Sequence, residues 1–292
     1  MSVLRKASRK KAKIRLGLSA VAGGGKTYSA LLIAYGLCSD WEKIAVIDSE
    51  NCSADLYAHL GPYNVLPISA PYPPEKYVEA IKACENAGME VIIIDSISHE
   101  WDGKGGCLEI VDAITQGSTS KNSYVAWGRV TPRHQAFIDA MLSSKCHILT
   151  TVRRKQDYEM TKDANGKVKV EKAGLKEQTR DGWEYELTVN LQLDTMHQAT
   201  ASKDRTGLFM GKPEFIPSVE TGKMILEWCE TGADPREEID QATANLSNVA
   251  NLDELKMFRD TLPSYVISDE KFITAARARQ TELRPPAAAT TQ

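Results

Sequence analysis

Residues 15–30 read RLGLSAVAGGGKTYSA, and the fold turns on them. The apolar run 14–20 has the composition of a strand, and the apolar spacing of 27–37 predicts a helix. Three glycines, Gly23, Gly24 and Gly25, stand between the two. Ala20, Gly25, Lys26 and Thr27 fill the first and the last three positions of G-x-x-x-x-G-K-[ST], with Ala for the first Gly. Consecutive glycines reach φ > 0, so successive N–H groups turn inward as a nest for an anion. The helix that follows adds its positive end. The stretch therefore predicts a phosphate loop. Ala22, Gly23, Gly24, Gly25, Lys26, Thr27 and Tyr28 border ATP, Lys26 reaches the β- and γ-phosphates, and the Thr27 hydroxyl ligates Mg²⁺.

Outward from this loop the chain alternates strands and helices. IAVID (44–48), VLPISA (65–70), VIIID (91–95) and HILTTV (147–152) read as strands; 53–60, 75–87 and most of 124–142 read as helix, with Pro132 forcing a break or an N-terminal turn. Branched apolar runs such as VIIID suit strands buried on both faces. The expected fold is α/β, a P-loop NTPase core with a doubly wound, mainly parallel sheet. Asp95 ends VIIID, where a carboxylate holds Mg²⁺ or its water shell. Ser96, next to it, either assists the metal or caps a turn.

Beyond residue 152 the texture changes. Asn165-Gly166 between polar flanks predicts a hairpin across 160–172, and WEYELTVNLQLD (183–194) reads as one long strand. From about 232 the apolar residues Leu246, Val249, Leu252, Leu255, Phe258 and Leu262, then Phe272, Ala275, Ala276 and Leu283, recur at helical spacing. The expected organisation is a basic arm (1–12), the ATPase core (13–231), a small helical module (232–284) and a disordered tail (285–292).

Composition sets few limits. Of 292 residues 42% are apolar and 26% charged, with a net charge of −3, so no global charge demands a polyanion. Arg5, Lys6, Arg9, Lys10, Lys11, Lys13 and Arg15 crowd the first fifteen residues, a solvated tail or a polyanion contact. No apolar stretch behind them suits a signal peptide or a membrane span, so a cytoplasmic protein with no membrane partner is expected. The six cysteines form no CxxC pair and read as reduced thiols.

Phosphoryl transfer to water needs a group that orients or deprotonates the water. Glu50, just past IAVID, is the candidate, because strand ends beside the first strand project toward the nucleotide. The strand ending in Asp-x-Glu (48–50) after a phosphate loop, with VIIIDS downstream, resembles the RecA-type recombinase core. IDSE, IIIDS, RDGWEYEL and KDRTGL together resemble phage-encoded ATPases of the single-strand annealing class, over about 13–230. The resemblance implies that Glu50 activates the water, that Tyr57, seven residues on, stacks on adenine, and that Thr150 or Thr151 senses the γ-phosphate. It also implies that Lys203 and Arg205 act in trans on a neighbour's nucleotide, in a homo-oligomeric ring or filament with ATP at subunit interfaces.

Two segments are candidates for single-stranded DNA. One is 101–123. The other is 153–180, with nine Lys/Arg against five acids, among them Arg153, Arg154, Lys155, Lys167 and Lys169. A basic groove holds the backbone while rings stack on bases, and Tyr158 and Trp183 are the available rings. The expected function is ATP-dependent single-stranded-DNA binding that promotes annealing or recombination, with a single-strand-binding protein as a candidate partner of the C-terminal module. A replication accessory ATPase of the helicase or helicase-loader type is the alternative.

Overall fold

The computed structural model describes residues 9–119, 121–162, 168–232 and 234–283. The chain divides into two compact units, 13–228 and 1–12 with 229–292. The larger unit runs β1 (Arg15–Ala20), α1 (Lys26–Cys38), β2 (Ile44–Asp48), β3 (Asn64–Pro67), α2 (Pro74–Asn86), β4 (Val91–Asp95), α3 (Ser98–Asp102), α4 (Cys107–Gly117), α5 (Ser123–Ser143), β5 (His147–Lys162), β6 (Val168–Glu177), α6 (Trp183–Glu186), β7 (Val189–Leu193), β8 (Ala199–Asp204) and α7 (Val219–Glu230).

The sheet order is β3-β2-β4-β5-β1-β7-β8, with β6 paired to β5. Pairings among β1 to β5 and between β1 and β7 are parallel; β7–β8 and β5–β6 are antiparallel. This is the mainly parallel α/β sheet of a P-loop NTPase core. Every residue of β1, β2 and β4 is buried, as two-sided cover by helices demands. One strand, β5, separates β1 from β4. The carboxyl ends of β2, β4, β5 and β1 therefore lie side by side, and the loops leaving them converge on one edge.

Residues 53–60 form a helix as expected, of the 3₁₀ type. Other local expectations are corrected. Pro132 does not break α5, which runs through it; Val130, His134, Phe137 and Ile138, buried on both sides of it, hold the helix together. Residues 183–194 are not one strand. Gly182 takes a left-handed conformation (φ 88°) and Trp183 turns inward to stack on Phe137 at 6.2 Å, so a helical turn precedes β7. The segment 101–123, a candidate for single-stranded DNA, contains helix α4. Beneath it Glu100, Cys107 and His134 are buried together. The Glu100 carboxylate lies 3.0 Å from His134 Nδ1 and accepts from the Cys107 thiol at 3.1 Å, linking α3, α4 and α5. Close approach also fixes α1 against α7, where a Cβ on Gly36 would lie 2.1 Å from the Val219 carbonyl oxygen.

The smaller unit holds α8 (Pro235–Asn245), α9 (Leu252–Thr261), α10 (Ser264–Ile267) and α11 (Glu270–Glu282). Asp234, Asn251 and Asp269 cap α8, α9 and α11 with their side chains. Leu246, Val249, Leu255, Phe272 and Ala276 are buried with Ala242 and Val266, whereas Leu252 is exposed. The described part of the basic arm belongs to this unit. The Ala12 N–H donates to the Cys229 carbonyl at 3.0 Å. Lys10 pairs with Glu238 at 2.8 Å, and Lys11 with Glu230 at 2.9 Å and Asp234 at 3.3 Å. These cations are paired with acids of their own chain. Arg15, in the larger unit, is buried and donates to the carbonyls of Cys146, Leu142 and Ser144. Arg5, Lys6 and the tail 285–292 lie outside the described residues. All six cysteines are free thiols. Among the described residues no helix is long and apolar enough to cross a membrane.

Candidate active site

Helix α1 begins without a side-chain cap and without an acid in its first turn, unlike the capped helices of the smaller unit. Its first N–H groups are thereby left for an anion. Gly23 and Gly25 hold φ of 77° and 80°, the left-handed conformations that let the loop close over a phosphate. Lys26 curls back on the loop, with Nζ donating to the Ala20 and Val21 carbonyls at 3.3 Å. Burial pushes its pKa down, with Asp95 and Glu50 opposing that shift.

Asp95, at the end of β4, is 2% exposed. Its Oδ2 accepts from Thr27 Oγ1 at 2.6 Å and its Oδ1 accepts from Thr151 Oγ1. Burial pushes the Asp95 carboxyl upward, and those two hydroxyls only partly offset this. Both Asp95 oxygens accept from neutral hydroxyls, and a hard divalent cation suits a buried carboxylate beside a phosphate-loop hydroxyl. Thr27 and Asp95 thus fit Mg²⁺. Thr150 points the other way, donating to the Leu16 carbonyl at 3.4 Å. Of the two threonines, Thr151 alone faces the metal-side carboxylate, as the alternation of a strand requires.

Glu50 follows β2. Buried Asp48 accepts from the Glu50 N–H at 2.6 Å and from the Ala54 N–H at 2.8 Å, which turns the chain and presents Glu50 to the site. Sequence reading missed this role; an Asp two residues before the candidate Glu is the signal for such a turn. Ser96 Oγ donates to Glu50 Oε1 at 2.7 Å, so Ser96 contacts this carboxylate rather than capping a turn with its side chain. Arg153 reaches the same carboxylate with both prongs of its guanidinium, Nε to Oε1 at 2.8 Å and Nη2 to Oε2. Burial pushes the Glu50 carboxyl up, but the Arg153 and Ser96 bonds outweigh it and hold its pKa below the usual value.

A cleft of about 580 Å³ opens beside the loop, bordered by Gly25, Lys26, Thr27, Tyr28, Tyr57, His197 and Pro217 among others. The Tyr28 and Tyr57 rings meet edge to face at 5.8 Å. His197, in the β7–β8 turn, lies against the loop: a Cβ on Gly25 would come within 2.8 Å of its Nδ1. No motif marks His197 in the sequence, because a turn between two short strands brings it there.

The other candidates lie elsewhere. Register pairs Lys203 with Asn190, toward the amino end of β7, whereas the phosphate loop follows the carboxyl end of the neighbouring β1. Lys203 Nζ donates to the Glu184 carbonyl at 2.6 Å and Arg205 Nη2 to the Tyr185 carbonyl at 2.9 Å. The pair does not reach its own chain's loop. Arg153 is not a spare cation for DNA, since it sits in the nucleotide site. Arg154 donates to the Leu175 carbonyl at 3.2 Å, and Lys155 is exposed, 3.9 Å from Asp102. Trp183 is buried and unavailable for base stacking. Lys167 and the side chains of Lys169 and Tyr158 lie outside the described residues.

A profile of the family described as "AAA domain" matches residues 12–216, more than two-thirds of the chain, and spans Lys26, Thr27, Glu50, Asp95, Ser96, Thr151 and Arg153. No curated protein matches the sequence. With the phosphate loop, the Thr27–Asp95 pair and the parallel sheet in one matched segment, the chain belongs to the AAA domain family of P-loop ATPases.

Proposed function

We propose that the protein hydrolyses ATP at the Lys26–Thr27–Asp95–Glu50 site and couples that reaction to single-stranded DNA during annealing or recombination. The observation that carries the reading is the continuity of β5. The strand starts in the core, passes the site at Thr151 and Arg153, and continues into the hairpin with β6, within a segment (153–180) that carries nine Lys/Arg against five acids. One element thus joins the nucleotide to a candidate DNA-binding surface.

Mg²⁺ held by Thr27 and Asp95 would neutralise charge on the β- and γ-phosphate oxygens. Lys26 turns from the loop carbonyls to the phosphates. Glu50 orients a water and accepts its proton as the water oxygen bonds to the γ-phosphorus. The bond from that phosphorus to the β–γ bridging oxygen breaks, and the electron pair leaves with ADP. Tyr28 and Tyr57 flank the adenine. Lys203 and Arg205, remote from their own loop, serve a neighbouring copy in a ring or filament.

The test combines turnover and binding. ATP hydrolysis rises on adding single-stranded oligonucleotides, complementary strands anneal faster with protein and ATP, and Lys26→Ala abolishes both effects. Affinity for the oligonucleotide falls with log salt at a slope near −0.7 per phosphate contact. The Arg154→Ala/Lys155→Ala chain flattens that slope by about 1.4 if both touch phosphate. Unwinding of duplex DNA without annealing would favour a helicase-type accessory ATPase instead.

A further inference from the structure

Arg153 is the one cation on β5 that the sequence assigns to DNA and the structure assigns to the nucleotide site. Its backbone lies beside the phosphate loop, because the β1–β5 register pairs Arg153 with Ala20, the first residue of the loop motif. Its side chain projects on the same side of β5 as Thr151, whose hydroxyl holds Asp95. The Arg153 N–H is fixed to Ser98 Oγ at 2.9 Å, so the strand end is anchored while the side chain, 42% exposed, keeps freedom to swing.

Four charges make up the cluster: Lys26 and Arg153 against Glu50 and Asp95. They act on one another electrostatically, Arg153 and Glu50 on Lys26, and Asp95 and Glu50 on Arg153. The balance is neutral before a nucleotide arrives. The γ-phosphate carries close to two negative charges on three terminal oxygens, so it competes with Glu50 for a cation even beside Lys26 and Mg²⁺. A guanidinium is a rigid two-pronged donor that fits carboxylate and phosphate equally well in shape. It therefore has two alternative partners in one small space, and the more highly charged one exerts the stronger pull.

We propose that Arg153 is a catalytic residue that exchanges partners, holding the Glu50 carboxylate when the γ-phosphate is absent and the γ-phosphate oxygens when it is present. The exchange does two things together. It places a cation where charge develops during phosphoryl transfer, and it releases Glu50 Oε2 to the attacking water while Ser96 keeps hold of Oε1. ADP lacks the γ-phosphate, so with ADP bound the guanidinium stays on Glu50 and the site is shut. The protein's preference for ATP over ADP then resides largely in this side chain. The proposal rests on the reading of this site as an ATPase, and its first readout is binding, which needs no turnover.

The experiment compares wild type, Arg153→Ala and Arg153→Lys. Calorimetry with Mg²⁺ gives the affinities for ADP and for a non-hydrolysable ATP analogue, and steady-state assays give ATP turnover with and without a single-stranded oligonucleotide. Arg153→Ala is expected to lower the preference for the triphosphate by about tenfold or more, the worth of a charge-assisted bond pair. It should lower turnover by about 10³-fold, as when a cation is withdrawn from the developing charge. Arg153→Lys, which keeps the charge but loses the fork, should restore part of the nucleotide preference. The proposal is overturned if Arg153→Ala leaves the preference unchanged, whether its turnover rises, as a plain restraint on Glu50 would give, or stays level, as a structural ion pair would give. It is equally overturned if Arg153→Ala weakens oligonucleotide binding with the nucleotide preference intact, which assigns the guanidinium to a DNA phosphate. If the wild type discriminates between the nucleotides but hydrolyses none, the ATPase reading fails while the preference test still stands.

Discussion

Replacing Glu50 with Gln separates the stability of the site from its chemistry. The side chain keeps its size, and its oxygen can still accept from Ser96 and from one prong of Arg153. What goes is the negative charge. Arg153 is 42% and Glu50 17% exposed, so solvent screens the pair and its loss costs about 1 kcal/mol or less. For a unit of this size that moves Tm by roughly 2–4 °C at most. The barrier to hydrolysis responds differently. Losing a positioned base lowers turnover by about 10²-fold or more, equivalent to about 2.7 kcal/mol. ATP affinity stays level or rises, because a like charge has been removed from beside the phosphates. Phosphate release, calorimetric titration with ATP and a thermal melt on one preparation give the three quantities. Normal turnover by the Gln variant would remove Glu50 from the mechanism. Loss of ATP binding would show that Glu50 organises the loop rather than acting on water.

Gly25→Ala forces a left-handed residue (φ 80°) to carry a Cβ that lies 2.8 Å from His197 Nδ1, so nucleotide affinity falls by about tenfold or more; titration with ATP checks this. His147 is buried beside Lys13 and Arg15, with Nδ1 accepting from the Ile14 N–H, and burial with those two cations pushes its pKa down to about 3. The unfolded chain binds a proton below about pH 6.5 and the folded one does not, so stability is whole above that value and drains away as pH falls toward 3, by about 1.4 kcal/mol per unit. His147→Asn flattens this acid limb in denaturant titrations run from pH 7 to pH 4. Phe272→Ala opens a cavity in the smaller unit and costs it about 3–5 kcal/mol, while ATP binding by the larger unit is retained. Calorimetric melting combined with nucleotide titration separates the two.

Legibility followed the range of the interactions. The phosphate loop, Asp95 and the buried strands were visible because each is decided by neighbours within a few residues: glycines for φ > 0, branched apolar runs for two-sided burial. The misread strand at 183–194 shows the limit. Its alternation is real, but Gly182 and the stacking of Trp183 on Phe137, far along the chain, decide its first half. Pro132 failed as a helix breaker for the same reason, since buried contacts on both sides outweigh the lost bond. Charge was the least legible quantity. Arg153 and Glu50 are 103 positions apart, and Lys10 and Glu238 are 228 apart, so counting cations along the chain cannot tell a paired one from a spare one. His197 carries no motif and enters the site through a turn, whereas Asp48 stands in the Asp-x-Glu at 48–50 but its part in turning the chain shows only in the bonds it accepts.

The union of residues 9–12 with the helices beyond Cys229 has a consequence for how the protein is made. The ATPase unit is an insertion within the smaller one, so some two hundred residues leave the ribosome between the two halves of that smaller unit. Until Glu230, Asp234 and Glu238 emerge, Lys10 and Lys11 have none of their acidic partners, and the arm waits unpaired while β1 to β8 assemble. A chain begun after residue 12 keeps the whole nucleotide site yet leaves those three acids without their cations. Its defect would surface as a less stable set of terminal helices beside an unaltered phosphate loop.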